Sequence, residues 1–79
     1  MDIAALLENR KKEKDFSPER FCQAVLNEYG YRAHALATLM TFDQMDVSLA
    51  SQWVDGLLDD VASLSPQAQS ALDLLNNEL

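Results

Sequence analysis

The longest amphipathic run in the chain lies between Val47 and Leu64. There Ala50, Trp53, Val54, Leu57, Leu58, Val61 and Leu64 recur at spacings of three and four, while Ser51, Gln52, Asp55, Gly56, Asp59 and Ser63 fall opposite. This stripe predicts one helix that buries a broad apolar face. Trp53, the only Trp, stands on the stripe, and Gly56, one turn on, is expected to let a neighbouring helix or ring come close. Trp53 and Leu57 are therefore expected in the main core. On such a helix Asp55 and Asp59 are neighbours and repel by a few tenths of a kcal/mol, with no Lys or Arg near them in the sequence.

The remaining segments read as elements packed around this run. Asp2 is placed to cap a short first helix with Ile3, Leu6 and Leu7 at helical spacing, and the pattern fades into the charged stretch Glu8 to Asp15, where Glu8 and Lys12 form an i, i+4 pair. Ser17, Pro18 and Glu19 form a helix start: Ser caps, Pro takes the first position where its missing donor costs nothing, and Glu favours the dipole. Phe16 and Phe21 bracket that cap as a hydrophobic staple. Phe21, Cys22, Val25, Leu26 and Tyr29 then share one face, and Gly30 supplies a stop.

Tyr31 to Met40 is apolar on most sides, as expected of a helix through the middle of a bundle, with His34, Thr38 and Thr41 as one polar seam and His34 a hydrogen-bonded structural residue. Thr41 and Gln44 read as a capping box with Met40 and Met45 as its staple, before a bend and a fresh start near Asp46. Ser65 and Pro66 repeat the helix-start signal, and Ala68, Ala71, Leu72, Leu75 and Leu79 make the inward stripe of a last helix, with Leu74 off it. The whole is an all-α chain. It is expected to be a small single-domain helical bundle of about four principal helices plus short helical turns, with 1–15 a short amphipathic start and charged segment and 16–79 the bundle core.

Composition agrees with this class. The chain has 79 residues, 48% of them hydrophobic, with two Gly and two Pro; that is room for one small core, and too apolar for a disordered chain. Charge changes the picture more. All six basic residues (Arg10, Lys11, Lys12, Lys14, Arg20 and Arg32) lie within the first 32 positions, where acids balance them. Asp43, Asp46, Asp55, Asp59, Asp60, Asp73 and Glu78 come after them with no Lys or Arg, so the net charge of -7 belongs to the later part. Such a surface repels nucleic acid and membranes and attracts basic partners. A lone Cys22 cannot pair within the chain, no basic start followed by an apolar segment marks secretion, and the longest apolar run, Ile3 to Leu7, is far short of the roughly 20 residues of a membrane span. A cytoplasmic setting is expected.

Candidate chemistry is sparse. One His and one Cys cannot make a zinc site, and Asp55, Asp59 and Asp60 lack the alternating loop ligands and central Gly of a calcium loop. No phosphate loop, nucleophile elbow or oriented acid and base pair occurs, so no cofactor, no metal and no enzymatic activity are expected. Cys22 to Thr41, with Val25, Tyr29, Tyr31, Leu36 and Leu39 at apolar positions around Gly30, resembles a helix-turn-helix, which implies a transcriptional regulator. Its would-be reading helix, Ala33 to Thr41, carries no Lys, Arg, Asn or Gln to offer a base edge.

In size, acidity and helicity the chain is similar to the small inhibitors that phages and mobile elements direct against host enzymes, including anti-CRISPR and DNA-mimic proteins. That resemblance implies a stoichiometric binder whose acidic face occupies a basic groove. The expectation is thus a protein-binding module that docks Asp43, Asp46, Asp55, Asp59, Asp60 and Asp73, with Leu74 adding apolar contact, on a protein with a basic surface. Direct nucleic-acid contact is not expected. The alternatives are the helix-turn-helix regulator and a self-associating structural or adaptor protein, whose basic first segment meets the acidic half of another copy.

Overall fold

The computed structural model of the protein describes residues 2–78, and every segment of regular structure among them is helical. Five α-helices occur in order: α1 (Ile3–Lys11), α2 (Pro18–Tyr29), α3 (Tyr31–Phe42), α4 (Val47–Val54) and α5 (Pro66–Glu78), with a single 3-10 turn at Val61–Ser63. The all-α bundle expected from the sequence is the fold.

Local signals set most boundaries. The Asp2 carboxylate accepts from the Ala5 amide at 3.2 Å and starts α1, and the Ser17 hydroxyl accepts from the Arg20 amide at 3.3 Å ahead of Pro18. Phe16 and Phe21 close over that cap with ring centroids 6.0 Å apart. The Glu8 and Lys12 pair does not form; Arg10 instead reaches Glu13 at 3.7 Å. Gly30 alone separates α2 from α3, its amide donating to Leu26 O and its carbonyl accepting from the His34 amide, both at 3.0 Å. At φ 95° and ψ -174° it occupies a region that is essentially open to glycine alone, so the tight join depends on its having no side chain.

The α3 helix is the hub. α2, α4, α5 and α1 all pack on it, and Ala33, Ala35, Ala37, Thr38, Leu39 and Met40 are buried along its length. A helix covered on several sides needs apolar residues all round rather than one stripe. Its polar groups are satisfied internally: His34 Nδ1 donates to Cys22 O at 2.7 Å, and the Thr38 and Thr41 hydroxyls donate to His34 O and Ala37 O at 2.8 Å. With its proton so used, the Thr41 oxygen accepts from the Cys22 thiol at 3.3 Å. His34 is the hydrogen-bonded structural residue expected, its ring held by the bond to the Cys22 carbonyl. Tyr29, expected on the inner face of α2, is 46% exposed at that helix's last turn.

The Val47 to Leu64 run is not one helix. α4 starts where the bend was expected, with the Asp46 carboxylate accepting from the Leu49 amide at 2.8 Å, but it ends at Val54. Gly56 has φ +78°, its amide donates to Trp53 O at 3.2 Å and the Leu57 amide donates to Gln52 O at 2.9 Å. These are the paired bonds of a Schellman stop, in which glycine supplies the left-handed residue. Gly56 therefore ends a helix rather than admitting a neighbour, and beyond its two chain neighbours nothing stands within 4 Å of where its Cβ would be. Trp53 is in the core as expected, whereas Leu57, expected beside it, is 71% exposed.

Two further boundaries differ from expectation. Thr41 belongs to the last turn of α3 and does not cap the next helix; Asp46 does, and Gln44 takes a left-handed φ of 55° at the turn. The start of α5 is tied back to α3: Ser65 donates from its amide and its hydroxyl to the two oxygens of Asp43, at 2.9 and 2.5 Å, while its hydroxyl accepts from the Ala68 amide at 3.1 Å. Ala68, Ala71, Leu72 and Leu75 bury the inner stripe of α5; Leu79, expected to extend it, lies outside the described residues.

Candidate protein-docking surface

The acids expected to form one docking face do three different jobs. Asp43 holds Ser65 and so joins the end of α3 to the start of α5. Asp46 caps α4. Asp55 stands just after the last turn of α4 and bonds Arg32 at 2.8 Å, both side chains about half exposed. The expectation that Asp55 and Asp59 repel on one helix face, with no cation near, does not hold: Asp59 lies beyond the Gly56 stop, and the fold brings Arg32 to Asp55. An exposed ion pair of this kind contributes at most about 1 kcal/mol.

That leaves Asp59, Asp60 and Asp73, which are exposed and take part in no ion pair among the described residues. Asp59 and Asp73 line one shallow cavity of about 230 Å³ where the segment after α4 crosses α5, with Trp53, Leu58, Val61 and Asn76 among its other walls. Leu74, 40% exposed, is not one of them. It lies about 100° from Asp73 around α5, so the structure does not bring Leu74 and the acids into one patch.

The residues that stand out here were placed in the core by the sequence pattern. Leu57 is 71% exposed, Leu58 36% and Val61 37%, all within the connection from α4 to α5. Leu57 is the second residue after the Asp55 cap, which in a Schellman stop packs on the side chain three or four positions before that cap. Those positions hold Gln52 and Ser51, so no apolar partner receives it. The signal was legible: a glycine after eight helical residues, with polar residues where a following Leu would have to land.

The connection is braced by hydrogen bonds within itself and anchored at its far end. Val61 N donates to Asp59 O at 2.8 Å, and Asp60 O accepts from the Ser63 amide at 3.1 Å and the Ser63 hydroxyl at 2.7 Å. Leu64 is buried at its far end. A short constrained loop that shows three apolar side chains between carboxylates has the make-up of a small interface centre with a charged rim.

The rest of the molecule offers little chemistry. No group of three or more His, Cys, Asp or Glu is placed to hold a metal ion among the described residues. Among the same residues no helix is long and apolar enough to cross a membrane. The helix-turn-helix likeness meets a geometric obstacle: α2 and α3 are separated by Gly30 alone rather than by a three- or four-residue turn, and α3 is covered by four other helices. No protein family, curated protein or solved structure matches this chain.

Proposed function

We propose that the chain is a non-enzymatic binding module that docks on a protein with a basic surface, as a stoichiometric inhibitor or regulator of the anti-CRISPR or DNA-mimic kind. The docking element in this reading is the connection Gly56 to Val61, with Leu57, Leu58 and Val61 as its apolar centre and Asp59, Asp60 and Asp73 as its acidic rim. The observation that carries it is Leu57, exposed at 71% on a connection held by its own hydrogen bonds. Leaving a Leu in water forgoes about 1.5 to 3 kcal/mol of burial, a cost that docking recovers.

The charge distribution supports the same partner. The chain has no Lys or Arg after position 32 and a net charge of -7, which steers a basic protein toward the Asp59 and Asp60 end and turns nucleic acid away. No cofactor enters this reading, and the setting is the cytoplasm, in keeping with one buried, unpaired Cys22. Against a DNA-reading regulator stands the burial of α3.

The experiment is affinity capture from the cells of origin with three baits: the natural chain, Leu57→Ser, and Asp59→Lys combined with Asp60→Lys. A partner held by the first and lost by both others is expected, with an association rate that falls as salt rises, because exposed charges are screened beyond about 8 Å at physiological ionic strength. A partner bound equally by all three, at a rate indifferent to salt, would make the acidic face a solubilising surface only.

A further inference from the structure

The cavity where the connection after α4 crosses α5 joins an apolar wall to unopposed negative charge. Val54, Leu58, Val61 and Leu72 line it together with Asp59 and Asp73, and no Lys, Arg or His does. The groove beside α1, by contrast, sets Lys11 against Glu8 and Asp46, so its charge selects no occupant. We propose that the cavity at Trp53 receives one arginine side chain of the basic partner, its stem on the apolar wall and its guanidinium at the Asp59 and Asp73 carboxylates.

The first support is that both carboxylates are free. Among the described residues neither is in an ion pair, and the carboxylates that accept hydrogen bonds are those of Asp2, Asp43 and Asp46. Arg32, the cation that the fold brings to the end of α4, is engaged by Asp55. The second support is Trp53, which is only 9% exposed and lines the cavity. Its indole N–H has no hydrogen-bond partner among the described residues, where every fully buried side-chain polar atom has one. The N–H therefore stands at the small accessible part of the ring. A tryptophan so deeply buried ordinarily satisfies this donor, and an indole N–H can only donate. It thus calls for an acceptor on the occupant, which a backbone carbonyl beside the arginine supplies.

Size and chemistry narrow the occupant further. Sites for whole small molecules run from roughly 300 to 1,000 Å³, whereas this cavity is about 230 Å³, room for a single side chain. Between the two basic residues, arginine fits better. Its guanidinium is weakly hydrated, lies flat on aromatic rings and offers five donors in a fixed fork that two carboxylates can share, while the lysine ammonium is a strongly hydrated point charge. The inference rests on the proposed function, since Leu58 and Val61 serve both as apolar residues of the docking connection and as walls of the cavity.

The test is a titration of the full chain, labelled with nitrogen-15, with the blocked peptide acetyl-Gly-Arg-Gly-amide and its lysine and citrulline counterparts. Citrulline keeps the shape of arginine without the charge. The chain has one Trp, so a single indole N–H resonance reports on the cavity. The arginine peptide should move that resonance saturably, with a dissociation constant of about 1 to 10 mM. Binding should be at least about threefold weaker for lysine and at least about tenfold weaker for citrulline. Asp59→Asn combined with Asp73→Asn should weaken the arginine peptide at least about tenfold and leave the thermal melt unchanged, because both side chains are exposed and unbonded.

No saturable movement up to about 50 mM, lysine or citrulline bound as well as arginine, or a double variant that binds like the natural chain would each overturn the proposal. So would shifts spread over all the acids and absent at Trp53, the mark of general attraction to a chain of net charge -7. Failure here is distinguishable from failure of the proposed function. A captured partner that depends on Leu57, with no arginine bound at Trp53, overturns this inference alone. Arginine bound at Trp53, with capture indifferent to Leu57, overturns the docking reading and leaves the arginine site standing.

Discussion

α3 and the Val47 to Leu64 segment make an instructive pair. By periodicity the second is the better core helix, with a clean stripe and a clean polar face, while α3 shows hardly any sidedness. In the structure the order is reversed. α3 carries the core, with Ala35, Ala37 and Leu39 fully buried, and the other segment leaves the core after Trp53 and exposes Leu57, Leu58 and Val61 before returning at Leu64. A stripe tells which residues face the same way for as long as the helix lasts. It does not tell where the helix ends.

The largest effect expected from this contrast is on stability. Leu39→Ala removes a fully buried side chain from the hub and should cost about 2 to 5 kcal/mol, much of the stability of a domain this size. Leu57→Ala should change it by no more than about 0.5 kcal/mol, since the side chain is mostly in water. Urea denaturation followed by Trp53 fluorescence measures both. Comparable losses at the two positions would put Leu57 back in the core and remove the basis for the docking element.

This also marks how far the sequence could be read. The α2 start, the Gly30 break, the central place of α3, the structural role of His34 and the Ser65 start of α5 rest on short-range rules of capping and apolar content, which act within a few residues and so are visible in order. Asp43 holding Ser65 across 22 positions and Arg32 meeting Asp55 exist only once α3, α4 and α5 are packed. That is why Asp43 and Asp55 looked like free surface acids. The exposure of Leu57 lies between these cases, since Gly56, Ser51 and Gln52 stated it locally and the longer periodicity concealed it.

A second test concerns the tie that keeps the segment between the two regions in place. Asp43 and Ser65 pin its ends together, and Asp43→Ala leaves the Ser65 amide and hydroxyl without their acceptor in a partly buried site. The expected cost is about 1 to 3 kcal/mol. Asp60→Ala, on the exposed connection, should cost less than about 0.5 kcal/mol, because only its backbone carbonyl is used. Equal effects in chemical denaturation would mean that the tie contributes nothing beyond an ordinary surface acid.

The two helix ends sharpen the comparison further. Gly56 ends α4 at φ +78° with open space around its Cα, so Gly56→Ala meets no clash and costs only the left-handed conformation, about 1 kcal/mol net. If the helix ran on through Asp55 to Leu64, the same substitution would stabilise it, since Ala is the better helix former. The sign of the change in midpoint therefore decides between a stop and a continuous helix.

The smallest effect, and the opposite one, is expected at the end of α3. Gln44 stands in the left-handed region at φ 55° immediately after Asp43, the position at which helices commonly place a left-handed glycine. An L-residue there carries about 1 to 2 kcal/mol of strain, and Gln44 gains no side-chain hydrogen bond among the described residues to offset it. Gln44→Gly relieves that strain and adds about 0.4 to 1 kcal/mol of unfolded-chain entropy. The net gain should be up to about 1 kcal/mol, read as a higher urea midpoint at unchanged slope. Met45 follows at once and is partly buried against the core, so the strained turn is held from both sides. A lower midpoint would mean that Gln44 tolerates the left-handed turn without strain and that glycine only loosens the unfolded chain.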